Sequence, residues 1–203
     1  SEFPQFPKVS ELLSLLGVGI AAFVATNIDD TFVLILLFSI PSLLARNVII
    51  GQFLGIALLV VISSFAALLA LTIPAFAIGL MGFIPIIIGI KRLTKFRGNA
   101  ETIHAMKKEY LSFLSITAIT ISNGGDDIGV FTPLFAKYNT VAEVSILISI
   151  FLIMTGIWCF VTFYFIRHPF VASRIKVLSH AVTPFVLIGL GVYIIIDSFF
   201  FNF

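Results

Sequence analysis

The chain has 203 residues, 60% hydrophobic and 11% charged, with a formal net charge of +2. A soluble domain is nearer 45–50% apolar and 25% charged, so a water-soluble fold is excluded, and so small a charge gives no footing for nucleic acid. The single cysteine, Cys159, excludes an internal disulfide and any multi-thiolate metal cage.

The first segment, 1–10, is polar and lacks the basic start of a signal peptide; its leading SEF is read as a tag remnant and given no weight. Apolar runs then recur, each long enough for a hydrocarbon layer about 30 Å thick. They predict six transmembrane helices, over about 11–41, 47–72, 75–93, 109–136, 142–167 and 180–201. The first and fourth exceed the length a span needs, and each holds an aspartate pair near mid-membrane, so a tilt or local break is expected there. The stretches IPS (40–42), TIP (72–74) and RHP (167–169) are breakers at span ends. The hydrophilic segment KRLTKFRGNAETIHAMKKE, 91–109, separates the halves: a first three-helix repeat at 11–93, a linker at 94–108, and a second repeat at 109–203.

Aligned at an offset of 97, Asp29, Asp30, Val33, Leu37 and Phe38 fall on Asp126, Asp127, Val130, Leu134 and Phe135. Upstream, TN (26–27) answers SN (122–123), and PIIIGI (85–90) resembles PFVLIGL (184–190). Apolar matches come cheaply in such a chain, whereas a repeated polar cluster does not. Ten of the twelve lysines and arginines lie in the loops after spans one, three and five, and only Lys8 and Lys137 lie on the other side. Basic residues favour the cytoplasm, which places both termini outside and the 91–109 loop inside. Halves with an odd number of spans must then be inverted. The expected fold is an all-α integral membrane protein of two inverted three-helix repeats, a recurring plan of secondary transporters.

Of ten acidic residues, only Asp29, Asp30, Asp126 and Asp127 lie deep in spans. An ionised aspartate at a helix centre costs about 2.5–3.5 kcal/mol on the insertion scale, so the set would cost on the order of 10–14 kcal/mol. No basic residue lies at matching depth to form a salt bridge. Protonation or a bound cation remains, and alternation between the two is what a proton-coupled cation carrier needs. Asn27 and Asp30 are three apart, as are Asn123 and Asp126, a spacing that shares a face on a continuous helix. GG at 124–125 weakens the helix and frees carbonyls beside a cavity. The candidate ligands are Asn27, Asp29, Asp30, Asn123, Asp126 and Asp127, with the hydroxyls of Thr26 and Ser122 as secondary ones. This all-oxygen set suits Mg, Mn or Ca better than a thiol-loving metal.

The stretches ATNIDDTFVLILLF and SNGGDDIGVFTPLF, in six spans of this length, resemble the cadmium-resistance transporter family of the lysine-exporter superfamily. The resemblance covers the chain after its N-terminal segment. It implies efflux of divalent heavy metal, chiefly Cd2+, across the inner membrane of a bacterium, and it places the family's motif residues on the asparagines and aspartates named above. The GGDD of the second motif is more acidic than the NGADN-like family form, a departure that bears on the metal and admits Mn2+ or Ca2+, with Zn2+ also in range. The implied partners are the lipid bilayer, the metal as substrate and protons, with a homodimer compatible, and no cofactor or enzymatic activity is expected.

The runner-up function is export of amino acids or small organic solutes on the same plan, which would want a buried base as well as an acid. An intramembrane aspartyl enzyme would need one aspartate per helix rather than adjacent doubles. Cys159 beside Trp158 reads as packing, and His104, His168 and His180 as interfacial residues. The 23 phenylalanines are expected on lipid-facing surface, and Gln52, Ser63, Ser64 and Thr155 either line the path or bond between helices.

Overall fold

The computed structural model describes residues 9–28, 30–70, 72, 80–94, 112–165 and 184–196. Every regular element among the described residues is helical: α1 (Val9–Asn27), α2 (Asp30–Phe38), α3 (Ala45–Ala70), α4 (Phe83–Thr94), α5 (Phe113–Asn123), α6 (Gly125–Lys137), α7 (Val141–Phe165) and α8 (Pro184–Ile196). Helices α1, α3 and α7 are long and apolar enough to cross a membrane, and α5 and α8 are shorter apolar helices. Large apolar side chains stand uncovered on the outward faces: Phe65 is 65% exposed, Leu69 71% and Phe160 71%. Water penalises such a surface and lipid does not. The chain is a multi-pass membrane protein.

The stretches expected as the long first and fourth spans are each two helices end to end, α1 with α2 and α5 with α6. Pro41 lies between α2 and α3, where a breaker was expected. The linker beyond Thr94, RHP (167–169), all but Thr72 of TIP, Asp29, His104, His168 and His180 lie outside the described residues.

Helix α3 is central, packing on α5, α6, α7 and α2, while α1 packs on α7 and α6 and α2 on α7. The α3–α5 approach is close because Gly51 and Gly55, four apart, share one face. A Cβ on Gly51 would stand 2.6 Å from Ile116 Cβ, and one on Gly55 2.5 Å from Thr120 Cβ. That closeness lets Thr117 Oγ1 donate to Gly51 O at 3.1 Å and Thr120 Oγ1 donate to Gln52 Oε1 at 2.8 Å. Gly19 of α1 faces Leu147 and Ile150 of α7, and Gly89 of α4 lies against Pro184 and Ile188 of α8. Gly55→Leu is therefore expected to push α3 off α5, costing about 1–3 kcal/mol or more. Thermal melting in detergent checks this, with Gly17→Leu as control, since nothing lies within 4 Å of a Cβ built there.

Not all phenylalanines face lipid. Phe23, Phe131, Phe135 and Phe151 are fully buried where α1, α6 and α7 meet. The Phe131 and Phe151 rings stack at 4.2 Å, with Phe23 and Phe135 at 6.1 and 5.9 Å from Phe151. Spans that enclose a site need a dense interior as well as a greasy exterior, and composition alone does not separate the two.

Candidate metal-ion site

The breaks between α1 and α2 and between α5 and α6 arise from their own residues. At the end of α1, Thr26 Oγ1 donates to Ala22 O and Phe23 O, and Asn27 Nδ2 donates to Phe23 O at 3.2 Å. Side chains that bond the preceding turn compete with continuation of the helix. The last helical turn closes with Ile28 N–H on Val24 O, and a new helix starts at Asp30. In the second half, Gly124 N–H is shared between Thr120 O at 2.9 Å and Ile121 O at 3.2 Å, which tightens and ends α5. Helix α6 begins at the next residue, with Asp126 and Asp127 in its first turn.

Each described aspartate thus stands at the N-terminus of a helix that starts inside the protein. Asp30 is 6% exposed, Asp126 8% and Asp127 1%. The unmatched N–H groups and macrodipole of a helix start favour negative charge there. This is a compensation that spacing on a continuous helix does not reveal. It also alters the facial argument, since Asn27 ends α1 while Asp30 begins α2, and Asn123 ends α5 before Asp126 in α6.

The two motifs meet. Asn27 Nδ2 donates to Asp127 Oδ1 at 3.2 Å, across 100 residues of sequence, and also to Thr26 Oγ1 at 3.0 Å. With its amide nitrogen so engaged, Asn27 is fully buried and its Oδ1 has no hydrogen-bond partner among the described residues. An orphaned buried acceptor costs about 1–3 kcal/mol, and one beside a carboxylate suits a hard cation. Trp158 Nε1 of α7 donates to Thr31 Oγ1 at 3.1 Å, fixing the first turn of α2 next to Asp30.

Other candidates are placed differently. Asn123 is half-buried, and Ser122 is exposed with its Oγ turned back to Ala118 O at 2.7 Å. Among the described residues, no three His, Cys, Asp or Glu side chains gather closely enough to hold a metal ion. Neighbouring residues at a helix start point about 100° apart, so Asp126 and Asp127 diverge rather than converge. Cys159 is buried in α7 and Thr155 Oγ1 donates to Phe151 O, so both are absorbed by packing. Gln52 bonds between helices. The N-terminal dipoles were missed from sequence, although GG at 124–125 directly before two acids carries the signal of a helix start.

Among curated proteins and among solved structures, no match was found. One family model, described as cadmium resistance transporter, matches residues 23–202, a stretch that contains both aspartate motifs, and the chain belongs to that family.

Proposed function

We propose that the protein is a secondary transporter that exports divalent cations, foremost Cd2+, from the bacterial cytoplasm in exchange for protons. The observation that carries this reading is the Asn27–Asp127 hydrogen bond, which brings the two motifs to one buried place between discontinuous helices. Family membership favours Cd2+ over Mn2+, Zn2+ or Ca2+. The ligand set we propose is Asn27, Asp29, Asp30, Asn123, Asp126 and Asp127. Thr26 Oγ1 is already engaged by Asn27, and Ser122 would need to turn inward.

Several packing relations support the six-span inverted plan in the lysine-exporter superfamily. Helix α3 packs on the broken pair α5/α6, and α7 packs on the broken pair α1/α2. Helix α1 meets α6, and α4 meets α8, the pair that a two-fold relation would exchange. Basic residues then orient both termini outward in the inner membrane. An organic zwitterion would want a base near the aspartates. The buried Nζ of Lys137 lies ten residues along α6 from Asp127, about 15 Å, too far to serve.

Trp158 is the only tryptophan and touches the turn that carries Asp30, which makes it a reporter of the site. Titration of the purified protein with Cd2+ is expected to change its emission saturably. At a hundred times Kd the fold should gain about 2.7 kcal/mol. Everted membrane vesicles should accumulate Cd2+. A response to an amino acid and none to any of the four cations would overturn the reading.

A further inference from the structure

We propose that Ser63 of α3, a helix that carries no aspartate, supplies an oxygen ligand to the cation site and lets it hold hard divalent ions such as Mn2+ as well as Cd2+. The inference rests on the site proposed above. Hydroxyls inside helices ordinarily bond the carbonyl one turn back. Thr155 does so to Phe151 O at 2.7 Å, Ser149 to Ser145 O at 2.8 Å and Ser145 to Val141 O at 2.7 Å. Ser64, the next residue along α3, donates to Val60 O at 2.8 Å and is half-buried. Ser63 differs. It is fully buried, and its Oγ has no hydrogen-bond partner among the described residues. A hydroxyl left so in an apolar interior costs about 1–3 kcal/mol, which a bound ion offsets. Thr132 Oγ1 shares this condition, but it stands five residues along α6 from Asp127, about 7.5 Å, and so beyond an ion held there.

Helix packing brings Ser63 to the level of the aspartates. Gly51, Gly55, Leu59 and Ser63, spaced by four, form one stripe of α3. Gly51 lies on Ile116, Gly55 on Thr120 and Leu59 on Gly124, so each step of four on α3 matches a step of four along α5. The next step carries Ser63 about 6 Å past Leu59. Asp127 lies about 4.5 Å past Gly124, in the first turn of α6, on which α3 packs. Hydroxyl and carboxylate therefore stand at one level. The other half has a counterpart. Cys159 is eighteen residues past Val141, the start of α7, as Ser63 is past Ala45, the start of α3. At that turn of α7, Trp158 Nε1 donates to Thr31 Oγ1 in the first turn of α2, beside Asp30. The same turn of each long helix thus meets the start of a broken one. From α3, what arrives there is a neutral oxygen, a donor that suits Mn2+ or Ca2+ better than a soft ion.

Calorimetric titration and ultraviolet absorption of the purified protein test the proposal. Ser63→Ala is expected to weaken Mn2+ binding about tenfold, the lower end of what loss of a supporting partner costs a metal site, and Cd2+ binding less. Ser63→Cys, nearly isosteric and at ease when buried, exchanges the hydroxyl for a soft donor. It should raise the ratio of Cd2+ to Mn2+ affinity at least about tenfold. In a Cys159→Ser background it should also gain thiolate-to-metal charge-transfer absorption at saturating Cd2+. Ser64→Ala and Ser64→Cys, one residue on but turned to their own helix, should bind as wild type does and show no such absorption. Without metal, Ser63→Ala should melt no lower than wild type, because the hydroxyl it removes has no hydrogen bond to lose. Charge-transfer absorption in neither or both cysteine variants, or unchanged Mn2+ affinity in Ser63→Ala, would overturn the proposal. A lower metal-free melting point with unchanged affinities would assign Ser63 to packing alone. If the wild-type protein binds none of Cd2+, Mn2+, Zn2+ and Ca2+, the site reading itself fails, and this inference with it.

Discussion

Asp127→Asn is expected to lower metal affinity at least about a hundredfold and to abolish transport while the protein stays folded. The substitution isolates charge from shape. Asparagine keeps an Oδ1 able to accept from Asn27 Nδ2, the contact made now at 3.2 Å, so the junction of the two motifs survives. What disappears is a full negative charge on a side chain only 1% exposed. Loss of a mere supporting hydrogen bond around a metal typically costs 10–100-fold, and loss of a charged ligand costs at least that. Asp30→Asn, buried at the start of α2, should act alike. Without metal, neither variant should melt below wild type, because removing a buried charge relieves desolvation cost. Ser122→Ala, whose hydroxyl only bonds Ala118 O on an exposed face, should bind as wild type does. Calorimetric titration and melting curves with and without Cd2+ separate these cases. Wild-type affinity in Asp127→Asn would remove this residue from the site.

Much of this arrangement is legible in the residues themselves. Composition places the chain in a bilayer, and the repeated Asp pairs point to a duplication and to the candidate site. The expected break in the over-long first and fourth spans corresponds to the interruptions after Asn27 and at Gly124. The boundary between α2 and α3 follows from Pro41. Other features depend on three-dimensional proximity that periodicity does not encode. Gly51 and Gly55 read as ordinary small residues until Ile116 and Thr120 are set against them. The stacked Phe131 and Phe151 are indistinguishable by sequence from phenylalanines that face lipid. The pairing of Asn27 with Asp127 rather than with Asp30, its near neighbour in sequence, follows from the helix break. A continuous helix would have put Asn27 and Asp30 on one face, whereas the break turns the amide toward the second motif. Lys137 reads from sequence as one of the two basic residues left outside. Only the tertiary fold gives it aromatic walls.

Metal binding is expected to weaken steeply as pH falls, with protons released as the ion enters. The buried aspartates must be compensated in the empty carrier as well as in the loaded one. Helix N-termini supply part of that, each equivalent to roughly half an elementary charge, and the Asn27 amide supplies more. A divalent ion brings two positive charges to the same place, and any protons the carboxylates held must leave for it to be coordinated. The sign follows directly. Protons and metal compete, so lower pH favours the empty, protonated carrier, and higher pH favours the loaded one. If two protons leave per ion, affinity changes by about a hundredfold per pH unit over the range in which the empty site holds them. Such an exchange is nearly electroneutral, and an inward proton gradient can then drive the ion outward and reset the carrier. Calorimetry in buffers of different ionisation enthalpy counts the protons, and Cd2+ uptake by everted vesicles with and without an imposed pH gradient reads the coupling. A proton count of zero between pH 6 and 8, together with uptake indifferent to the gradient, would refute proton exchange. Sodium-coupled or uncoupled passage through the same aspartates would then be the remaining mechanism.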